Sequence, residues 1–150
     1  RQGLQFHKGW GELTATDVKF SIEQMIAPEA IAGPSSVLRR TIRAVRAPDP
    51  YTVEVELSVP DVDFIRGYLT NGQSVMIVSK AYVESVGQDE ANNQPIGSGS
   101  YEMLEYDKDV SITLKLREDN ENIWRSSPDF KEIHFLAAPE EFTFSCPYSI

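Results

Sequence analysis

The strongest structural signal in this chain is the stretch Leu13-Thr14-Ala15-Thr16-Asp17-Val18-Lys19-Phe20-Ser21-Ile22. Thr14 suits the N-cap of a helix, because its hydroxyl can accept a hydrogen bond from an unpaired amide of the first turn. Asp17 follows three residues later, where a carboxylate favours the positive end of the helix dipole. Apolar residues then recur at helical spacing: Val18, Ile22, Met25 and Ile26, with Phe20 beside them. The pattern predicts an amphipathic helix that begins after Thr14 and that Pro28 terminates.

Two β-hairpins are predicted farther along the chain. The first covers residues 42–57, with a turn at Pro48-Asp49-Pro50 and with apolar residues that alternate with polar ones in its second strand. The second runs from Tyr101 to Leu116 around a turn at Asp107-Lys108-Asp109. Alternation with a period of two is typical of strands that bury one face. A last strand is predicted over Ile133–Leu136.

Shorter elements are predicted between the hairpins. A helix is expected from Asp61 to about Asn71, and its apolar residues are Phe64, Ile65, Tyr68 and Leu69. A second helix is expected over Lys80–Val86, closed by Gly87, and Val75–Val78 is expected to be a compact buried strand. Three polar segments are expected to be loops: 30–36, 88–94 and 118–122. Because hairpins alternate with short helices, the sequence predicts an α+β fold with a mainly antiparallel sheet.

The composition limits the classes of function. A length of 150 residues is normal for one domain, and 41% hydrophobic with 25% charged residues is typical of a soluble globular domain. The formal net charge of -9 argues against nucleic acid as a partner, since phosphate binding needs a basic surface. One cysteine cannot form an internal disulfide, and two histidines beside it do not suggest a zinc site. No apolar run approaches the roughly 18 residues of a membrane-spanning helix.

Both ends of the sequence are interpreted as cuts through a longer chain. Arg1 is not a methionine, and Arg1–Phe6 reads as a strand already under way with no secretion signal before it. Phe142–Ile150 is apolar and stops with neither a helix cap nor a polar tail, unlike most solvated termini.

No catalytic set is predicted. Cys146 could act as a thiol nucleophile with His7 or His134 as its base, but its place near the end of the sequence favours an inert packed cysteine. His134 lies on a predicted strand between two apolar residues and faces the other way, which favours a surface or capping histidine. Asp107 and Asp109 flank a turn and are interpreted as solvated turn formers. The sequence therefore predicts a protein that is not an enzyme.

Four further candidate sites each have a simpler structural interpretation. Glu118–Asn122 offers oxygen ligands for calcium but lacks the glycine and the final glutamate of a calcium loop, which favours a solvated loop. Gly97-Ser98-Gly99-Ser100 precedes a strand, where a phosphate loop needs a helix, so its glycines are expected to permit a positive-φ turn or a close backbone contact. Trp10 and Trp124 could stack on a ligand and are expected to seal the core. The one basic cluster could dock an acidic partner or consist of scattered surface arginines: Arg39, Arg40, Arg43 and Arg46.

Several stretches occur in the order of a known family. They are Arg1–Gly9 with Leu13–Ile22, Val45–Val53, Pro95-Ile96-Gly97-Ser98-Gly99-Ser100-Tyr101, and Asn120-Glu121-Asn122-Ile123-Trp124. The third looks like a Pro-x-Gly-Thr-Gly-Pro-Tyr motif with serines replacing Thr and Pro, and the fourth like an Asn-x-x-Tyr-Trp loop with isoleucine replacing tyrosine. From Arg1 to about Pro139 the chain resembles the family 5 extracellular solute-binding proteins, the peptide, oligopeptide and nickel receptors of ABC importers. Phe142–Ile150 departs from the family pattern.

The resemblance implies a two-lobed clamp that traps a solute between its lobes. Residues 1–150 would form a single domain, a fragment of the first lobe that corresponds mostly to its accessory α+β subdomain, with the second lobe absent. The function implied is extracytoplasmic capture of a solute, a peptide in the leading interpretation, and its delivery to permease subunits at the membrane. The location implied is periplasmic or extracellular and is compatible with a lipid anchor. No cofactor and no metal are implied.

The same resemblance implies structural roles for the motifs. Asp17 would be a helix-start group, Pro48 and Pro50 a rigid turn, and Gly97 and Gly99 sharp backbone turns. No ligand-binding residue is assigned.

Two other interpretations stay open. A sensor or protein-interaction domain built on the same fold would use the arginine cluster as its binding surface. A hydrolase would depend on Cys146 as its nucleophile.

Overall fold

The computed structural model describes residues 2–70, 75–118 and 128–137. The chain divides into two compact units, Arg1–Ser98 and Gly99–Ile150, which we term the N-terminal and the C-terminal unit. Short helices and short antiparallel sheets confirm the predicted α+β fold class. The expectation that residues 1–150 form a single domain of a first lobe stays a prediction.

The N-terminal unit contains helices and one two-stranded sheet. In chain order its elements are a 3-10 turn (His7–Gly9), α1 (Ala15–Ile26), α2 (Ser35–Thr41), β1 (Ile42–Asp49), β2 (Thr52–Leu57), a one-turn π-helix (Ile65–Leu69), α3 (Lys80–Val86) and α4 (Gln88–Asn93). The C-terminal unit contains an antiparallel sheet of order β3-β4-β5, formed by β3 (Tyr101–Asp107), β4 (Ser111–Leu116) and β5 (Glu132–Leu136). Within the described ranges, no helix is both long and apolar enough to cross a bilayer.

Helix α1 forms where capping and apolar periodicity predicted it. It begins after Thr14 and ends at Ile26, just before Pro28, which cannot continue a helix. Its apolar stripe packs against the first hairpin and α2, and there Ile22 and Leu38 are almost completely buried. The other buried members of this first core cluster are Ile42, Val45 and Phe64. Burying each large aliphatic side chain contributes about 1.5–3 kcal/mol to the stability of the fold, so this cluster stabilises the packing of α1 against the hairpin.

A second core cluster joins the N-terminal turn to α3 and α4. Its buried members are Phe6, Tyr82, Ala91 and Ile96. Trp10 packs against it, with its ring centroid 4.9 Å from that of Tyr82 and an interplanar angle of 66°. This edge-to-face contact confirms that Trp10 seals the core.

The first hairpin has its predicted position and turn. β1 and β2 pair in antiparallel fashion, with Val45 opposite Val55. In the turn the Asp49 carboxylate accepts the N–H of Tyr51 at 2.8 Å, and this bond is the main reason why the pKa of Asp49 lies below its ordinary value. The C=O of Pro50 accepts the N–H of Ala15 at 2.8 Å, so the turn is attached to the start of α1.

The second hairpin and the last strand are also confirmed. Asp107 and Asp109 bound the turn, and Asp109 adopts a φ of 62°, a left-handed conformation that aspartate tolerates better than most residues. Val110 belongs to the turn, because its N–H donates to the C=O of Asp107 at 3.1 Å. β4 therefore begins at Ser111, one residue after the predicted apolar start.

Two helices occur where loops were predicted. α4 occupies most of the segment 88–94, and the prediction of a loop there is wrong. Ala91 is its one buried residue, so α4 has no apolar stripe for sequence analysis to detect. It starts because Gly87 ends α3 with a φ of 86° and its C=O accepts the N–H of Ala91 at 3.0 Å. α2 begins at Ser35, inside the predicted loop 30–36, and its two turns are too short to show a period.

The predicted strand Val75–Val78 is wrong. The segment has no ladder of strand hydrogen bonds, and Met76 is 72% exposed. The N–H of Val78 donates instead to the hydroxyl of Ser21 at 3.0 Å. The Val78 amide therefore bonds to a side chain instead of to a neighbouring strand, and either partner satisfies a backbone N–H.

The helix expected after Asp61 is confirmed as the π-helix Ile65–Leu69. The Asp61 carboxylate accepts the N–H of Asp63 at 2.9 Å, as a turn-forming aspartate does. Its predicted end near Asn71 lies outside the described residues.

Replacing Ile22 with alanine tests the first core cluster. We expect Ile22→Ala to lower the free energy of unfolding by about 2–5 kcal/mol, because it removes buried methylene groups and leaves a cavity. Ile31 is 99% exposed and provides the matched control. Ile31→Ala should change stability by less than about 0.5 kcal/mol in urea unfolding followed by circular dichroism. Equal losses from the two variants would contradict this description of the core.

Candidate functional site

The carboxylate of Asp17 joins three donors at the start of α1. Its Oδ2 accepts the N–H of Thr14 at 2.9 Å and the Thr14 hydroxyl at 3.0 Å, and its Oδ1 accepts the N–H of Lys80 at 2.9 Å. Asp17 is 8% exposed, so its charge is stabilised by these donors and by the helix dipole rather than by water. The carboxylate thereby completes a capping box and ties α1 to the first residue of α3.

Ser21 makes a second tie from α1 to the segment before α3. Its hydroxyl donates to the C=O of Asp17 at 2.8 Å and accepts the N–H of Val78 at 3.0 Å. The neighbouring Ser79 is buried and caps α3 by accepting the N–H of Tyr82 at 3.3 Å. Neither serine was predicted from the sequence to make these contacts. A serine before a helical segment is an N-cap signal that could have found Ser79, whereas Ser21 and its partner are 57 residues apart.

A polar hollow of about 370 Å³ opens beside these ties. Its charged lining residues are Glu12, Asp17, Lys80 and Glu84. The Lys80 ammonium lies 3.6 Å from the Glu84 carboxylate, and the Tyr51 hydroxyl donates to Glu12 at 3.2 Å. Burial and the nearby negative charge of Glu12 raise the pKa of Tyr51. Of the residues considered as candidates from the sequence, Trp10 and Asp17 line this hollow.

The two histidines are held in structural hydrogen bonds. His7 is buried, its Nδ1 accepts the N–H of Gly97 at 3.2 Å, and its backbone N–H donates to the C=O of Gly97 at 2.8 Å. His134 is exposed on β5, with its Nδ1 3.2 Å from the Thr113 hydroxyl and its Nε2 3.4 Å from the Glu132 carboxylate. This placement confirms the interpretation of His134 as a surface histidine.

The structure does not test the catalytic hypothesis for Cys146. Cys146 lies outside the described residues, so its pairing with either histidine stays a hypothesis. Within residues 2–70, 75–118 and 128–137, no three His, Cys, Asp or Glu side chains are grouped so as to hold a metal ion.

Two expectations were stated for the glycines of Gly97-Ser98-Gly99-Ser100, and one of them, a close backbone contact, is confirmed for Gly97, which contacts His7. The other expectation, a positive-φ turn at Gly97 and Gly99, is wrong. In the described part of the chain the glycines with positive φ are Gly3, Gly9, Gly11 and Gly87. The backbone of Gly97 makes two hydrogen bonds with His7, one through its N–H and one through its C=O.

The arginine cluster is bonded to groups within the N-terminal unit. Arg39 donates to carbonyls at and after the end of α1: Ile26, Ala27 and Ala30. The Ile26 carbonyl belongs to the last turn of α1, where helix geometry leaves carbonyls without partners, and a basic side chain there also complements the helix dipole. Arg43 and Arg46 both pair with the Glu56 carboxylate, at 3.1 and 2.9 Å. This arrangement fits locally paired surface arginines better than an open site for an acidic partner.

Two other candidates lie partly or wholly outside the described residues. Trp124 is outside them. Glu118 is described and its carboxylate pairs with the Lys115 ammonium at 3.1 Å. The remainder of the segment 118–122 is not described, so its interpretation as a solvated loop stays a prediction.

Comparison with known proteins places the chain among solute receptors. Residues 1–143 match the family model described as bacterial extracellular solute-binding proteins, family 5 Middle. The chain is 28% identical over 145 aligned positions to di/tripeptide-binding protein 2 of Pseudomonas aeruginosa UCBPP-PA14. That alignment covers 85% of this chain and 27% of the relative, so the chain spans about a quarter of the relative's length.

Two solved structures share the fold. The binding protein AgaA of A. tumefaciens R10, in complex with agropinic acid, is 30% identical with a TM-score of 0.76, covering 90% of this chain and 26% of that one. The binding protein MoaA of the same source, in complex with mannopinic acid, is 25% identical with a TM-score of 0.81, covering 94% and 27%.

Replacing Asp17 with asparagine tests the tie between α1 and α3. Asparagine has the shape of aspartate, but an NH₂ group replaces one of its two acceptor oxygens. The backbone N–H of either Thr14 or Lys80 would then face a donor and lose its acceptor. We expect a loss of about 1.5–3 kcal/mol in the free energy of unfolding. The exposed Asp63 provides the control, and Asp63→Asn should cost less than about 0.5 kcal/mol. Hydrogen exchange at the Lys80 amide should also accelerate in Asp17→Asn, and unchanged exchange there would contradict the tie.

Tyr82 should make stability depend on pH in the alkaline range. Its hydroxyl donates to the C=O of Gln94 at 2.6 Å, and burial, followed by the charge of Glu90, raises the pKa of Tyr82. Tyr82→Phe should therefore lower the free energy of unfolding by about 1 kcal/mol at pH 7. Because the folded pKa is raised, the neutral hydroxyl stabilises the fold below the unfolded pKa of about 10, and this contribution is lost as pH rises through the folded value.

Urea unfolding of both proteins at neutral and alkaline pH measures this effect. The difference between wild type and Tyr82→Phe should shrink above pH ~10. Tyr106→Phe, at an exposed position on β3, is the control and should change little at either pH. A difference that stays constant with pH would contradict the proposed role of the Tyr82 hydroxyl.

Proposed function

Because the chain belongs to the bacterial extracellular solute-binding proteins of family 5, we propose that it is part of a receptor that captures a solute and delivers it to an ABC import permease. The observation that carries the proposal is the family match over residues 1–143, which takes in nearly the whole chain. Proteins of this family act outside the cytoplasmic membrane, and the permease subunits of the importer would be their partners at the membrane.

A peptide is the solute class that we propose. The relative that matches 85% of the chain is named a di/tripeptide-binding protein, which supports a peptide. Agropinic and mannopinic acid, bound in the two solved relatives, are the competing ligands. We assign no ligand-binding residue within the chain, since the groups that distinguish these solutes would lie mainly elsewhere in the receptor.

The proposed mechanism is reversible capture between two lobes. The chain spans about a quarter of the length of its relatives, so it would be one piece of such a receptor, and we assign it to the first lobe, mostly the accessory α+β subdomain. Hinge closure of the lobes would bury the solute, and the closed form would dock on the permease. A hinge moves rigid bodies, and the ties from Asp17 and Ser21 give the N-terminal unit the rigidity that such a movement needs.

This cycle needs no bond chemistry. The receptor would release its solute unchanged, so it would not be an enzyme and would need no cofactor. Capture would take place in the periplasm or at the cell exterior, and a lipid anchor would suit a receptor that must stay near its permease.

The alternative, a sensor or protein-interaction domain, has lost its main support. It required the arginine cluster to be an open basic surface. Arg39 instead donates to backbone carbonyls near the end of α1, and Arg43 and Arg46 pair with Glu56.

Ligand screening of the complete receptor tests the proposal. Thermal unfolding would be measured with dipeptides and tripeptides, and with agropinic acid, mannopinic acid, sugars and metal chelates as competing classes. A peptide at about 100 times its Kd should add about 2.7 kcal/mol to stability and raise the midpoint. Recovery of the intact peptide by mass spectrometry should accompany the shift.

The 150-residue chain alone is the control for the location of the site. It should show no shift with any of these solutes, because the second lobe would be missing. A clear shift with this chain alone would contradict capture between lobes. Stabilisation of the complete receptor by another solute class, with none by peptides, would overturn the peptide assignment.

A further inference from the structure

The three methionines of the chain have different surroundings. They are Met25, Met76 and Met103, and all three lie within the described residues. Met76 is 72% exposed, whereas Met25 and Met103 are half-buried. The thioether sulfur of methionine is soft and is usually packed inside a fold, where it fills irregular gaps. At Met76 the fold instead presents this oxidisable group to water.

The backbone on both sides of Met76 is fixed. Val75 packs against the first core cluster and Ile77 against the second. The N–H of Val78 donates to the Ser21 hydroxyl at 3.0 Å. Among the described residues of these two clusters, Met76 is a member of neither. Its exposure therefore follows from the way in which its neighbours are held.

Met76 and Met25 line one hollow of about 580 Å³ in the N-terminal unit. Side-chain amides also line it, from Gln24 on α1 and from Gln88 and Asn92 on α4. The Gln88 amide donates to the side-chain oxygen of Asn92 at 3.0 Å, which uses one of the two hydrogens of its NH₂ group. The hollow thus offers amide donors to a side chain at position 76 that has become polar.

The sulfur of Met25 differs because it has a partner inside the protein. The Ser35 hydroxyl donates to the Met25 Sδ at 3.2 Å, and Met25 packs against the first core cluster. Oxidation turns an apolar side chain into a polar one and disrupts the packing of a core. The same chemical change is therefore compatible with the surroundings of Met76 and incompatible with those of Met25.

We propose that Met76 is a reversible oxidation site, which hydrogen peroxide oxidises and which a methionine sulfoxide reductase restores. In the forward step a lone pair of the Met76 sulfur attacks a peroxide oxygen, the O–O bond breaks and a sulfur–oxygen bond forms. The sulfur loses two electrons, and the peroxide is reduced and leaves as water. In the return step a thiol pair of the reductase supplies two electrons and becomes a disulfide, and the oxygen leaves as water.

The inference goes beyond the proposed function and requires no solute. Exposure gives an oxidant access to the Met76 sulfur, and it gives the reductase access to the sulfoxide. Both steps therefore depend on the same structural feature, the position of the side chain outside the two core clusters.

Peptide mapping by mass spectrometry tests the oxidation step. The complete receptor, carrying Cys146→Ser to remove a competing thiol, would be treated with hydrogen peroxide in the absence of solute. Sulfoxide should form at Met76 at least about fivefold faster than at Met25 or Met103, because its sulfur is the exposed one. In concentrated urea, which removes the folded surroundings, the three rates should agree within about twofold. Equal rates at the three positions in the folded receptor would overturn the site.

Repair of the oxidised receptor tests the return step. The receptor would be incubated with dithiothreitol and the two reductases, one for each sulfoxide epimer. The added oxygen should disappear from Met76 in the folded protein. Sulfoxide that persists at Met76, while the same enzymes reduce the receptor in its urea-unfolded state after dilution, would overturn the reversibility.

Glutamine variants test whether the fold tolerates the product, since glutamine approximates the length and polarity of methionine sulfoxide. Met76→Gln should lower the thermal midpoint of the complete receptor by no more than about 1 °C. Met25→Gln should lower it by roughly 3 °C or more, because it removes the sulfur that the Ser35 hydroxyl contacts and places an amide against the core. An equal or larger loss at position 76 would contradict the proposed tolerance.

These outcomes are independent of the solute assignment. A receptor that binds peptides and oxidises its three methionines at equal rates would keep the proposed function and lose the oxidation site. A receptor that binds no peptide but oxidises first at Met76 would keep the oxidation site and lose the peptide assignment.

Discussion

The burial of the Asp17 carboxylate is the constraint on which the N-terminal unit depends. A carboxylate withdrawn from water is costly unless donors replace its hydration. Here the amide and hydroxyl of Thr14 supply two donors and the amide of Lys80 supplies the third. The charge can therefore be buried only when α1 begins at Thr14 and the start of α3 lies against it. One carboxylate thus links the cap of α1 to a residue 63 positions farther along the chain.

Hydrogen bonds and apolar burial have separate tasks in this unit. Burial of apolar side chains such as Ile22 and Leu38 is the main driving force for folding, but apolar contacts alone do not determine where an irregular segment lies. The Ser21 hydroxyl positions the segment before α3 by accepting the N–H of Val78. Polar residues that looked like candidates for chemistry, such as His7 and Arg39, hold backbone groups in the same way.

Much of the fold could be predicted, because its main elements carry local patterns. The period of α1, the alternation in both hairpins and the glycine that closes α3 each concern residues within one element or turn. α4 could not be predicted, since its side chains are polar on all sides and only its attachment to Gly87 and the burial of Ala91 make it helical. At the candidate site, Asp17 was identified as a helix-start group, but its bond to Lys80 was not visible. The failure at Val75–Val78 has the same origin, because its partner is a side chain on a distant helix.

The sequence by itself determined the fold class, the positions of most helices and strands, and a family resemblance that the comparisons then established. These follow from caps, turns, periods and ordered motifs, all of which can be read over short windows. Only the tertiary structure decided which donors surround Asp17 and why the segment after residue 74 is not a strand. Each of these depends on the path of the whole chain. Hydrogen bonds between residues 57 or 63 positions apart, like the burial of a sheet face, form only when separate segments of the chain come into contact. No local sequence pattern predicts such a contact.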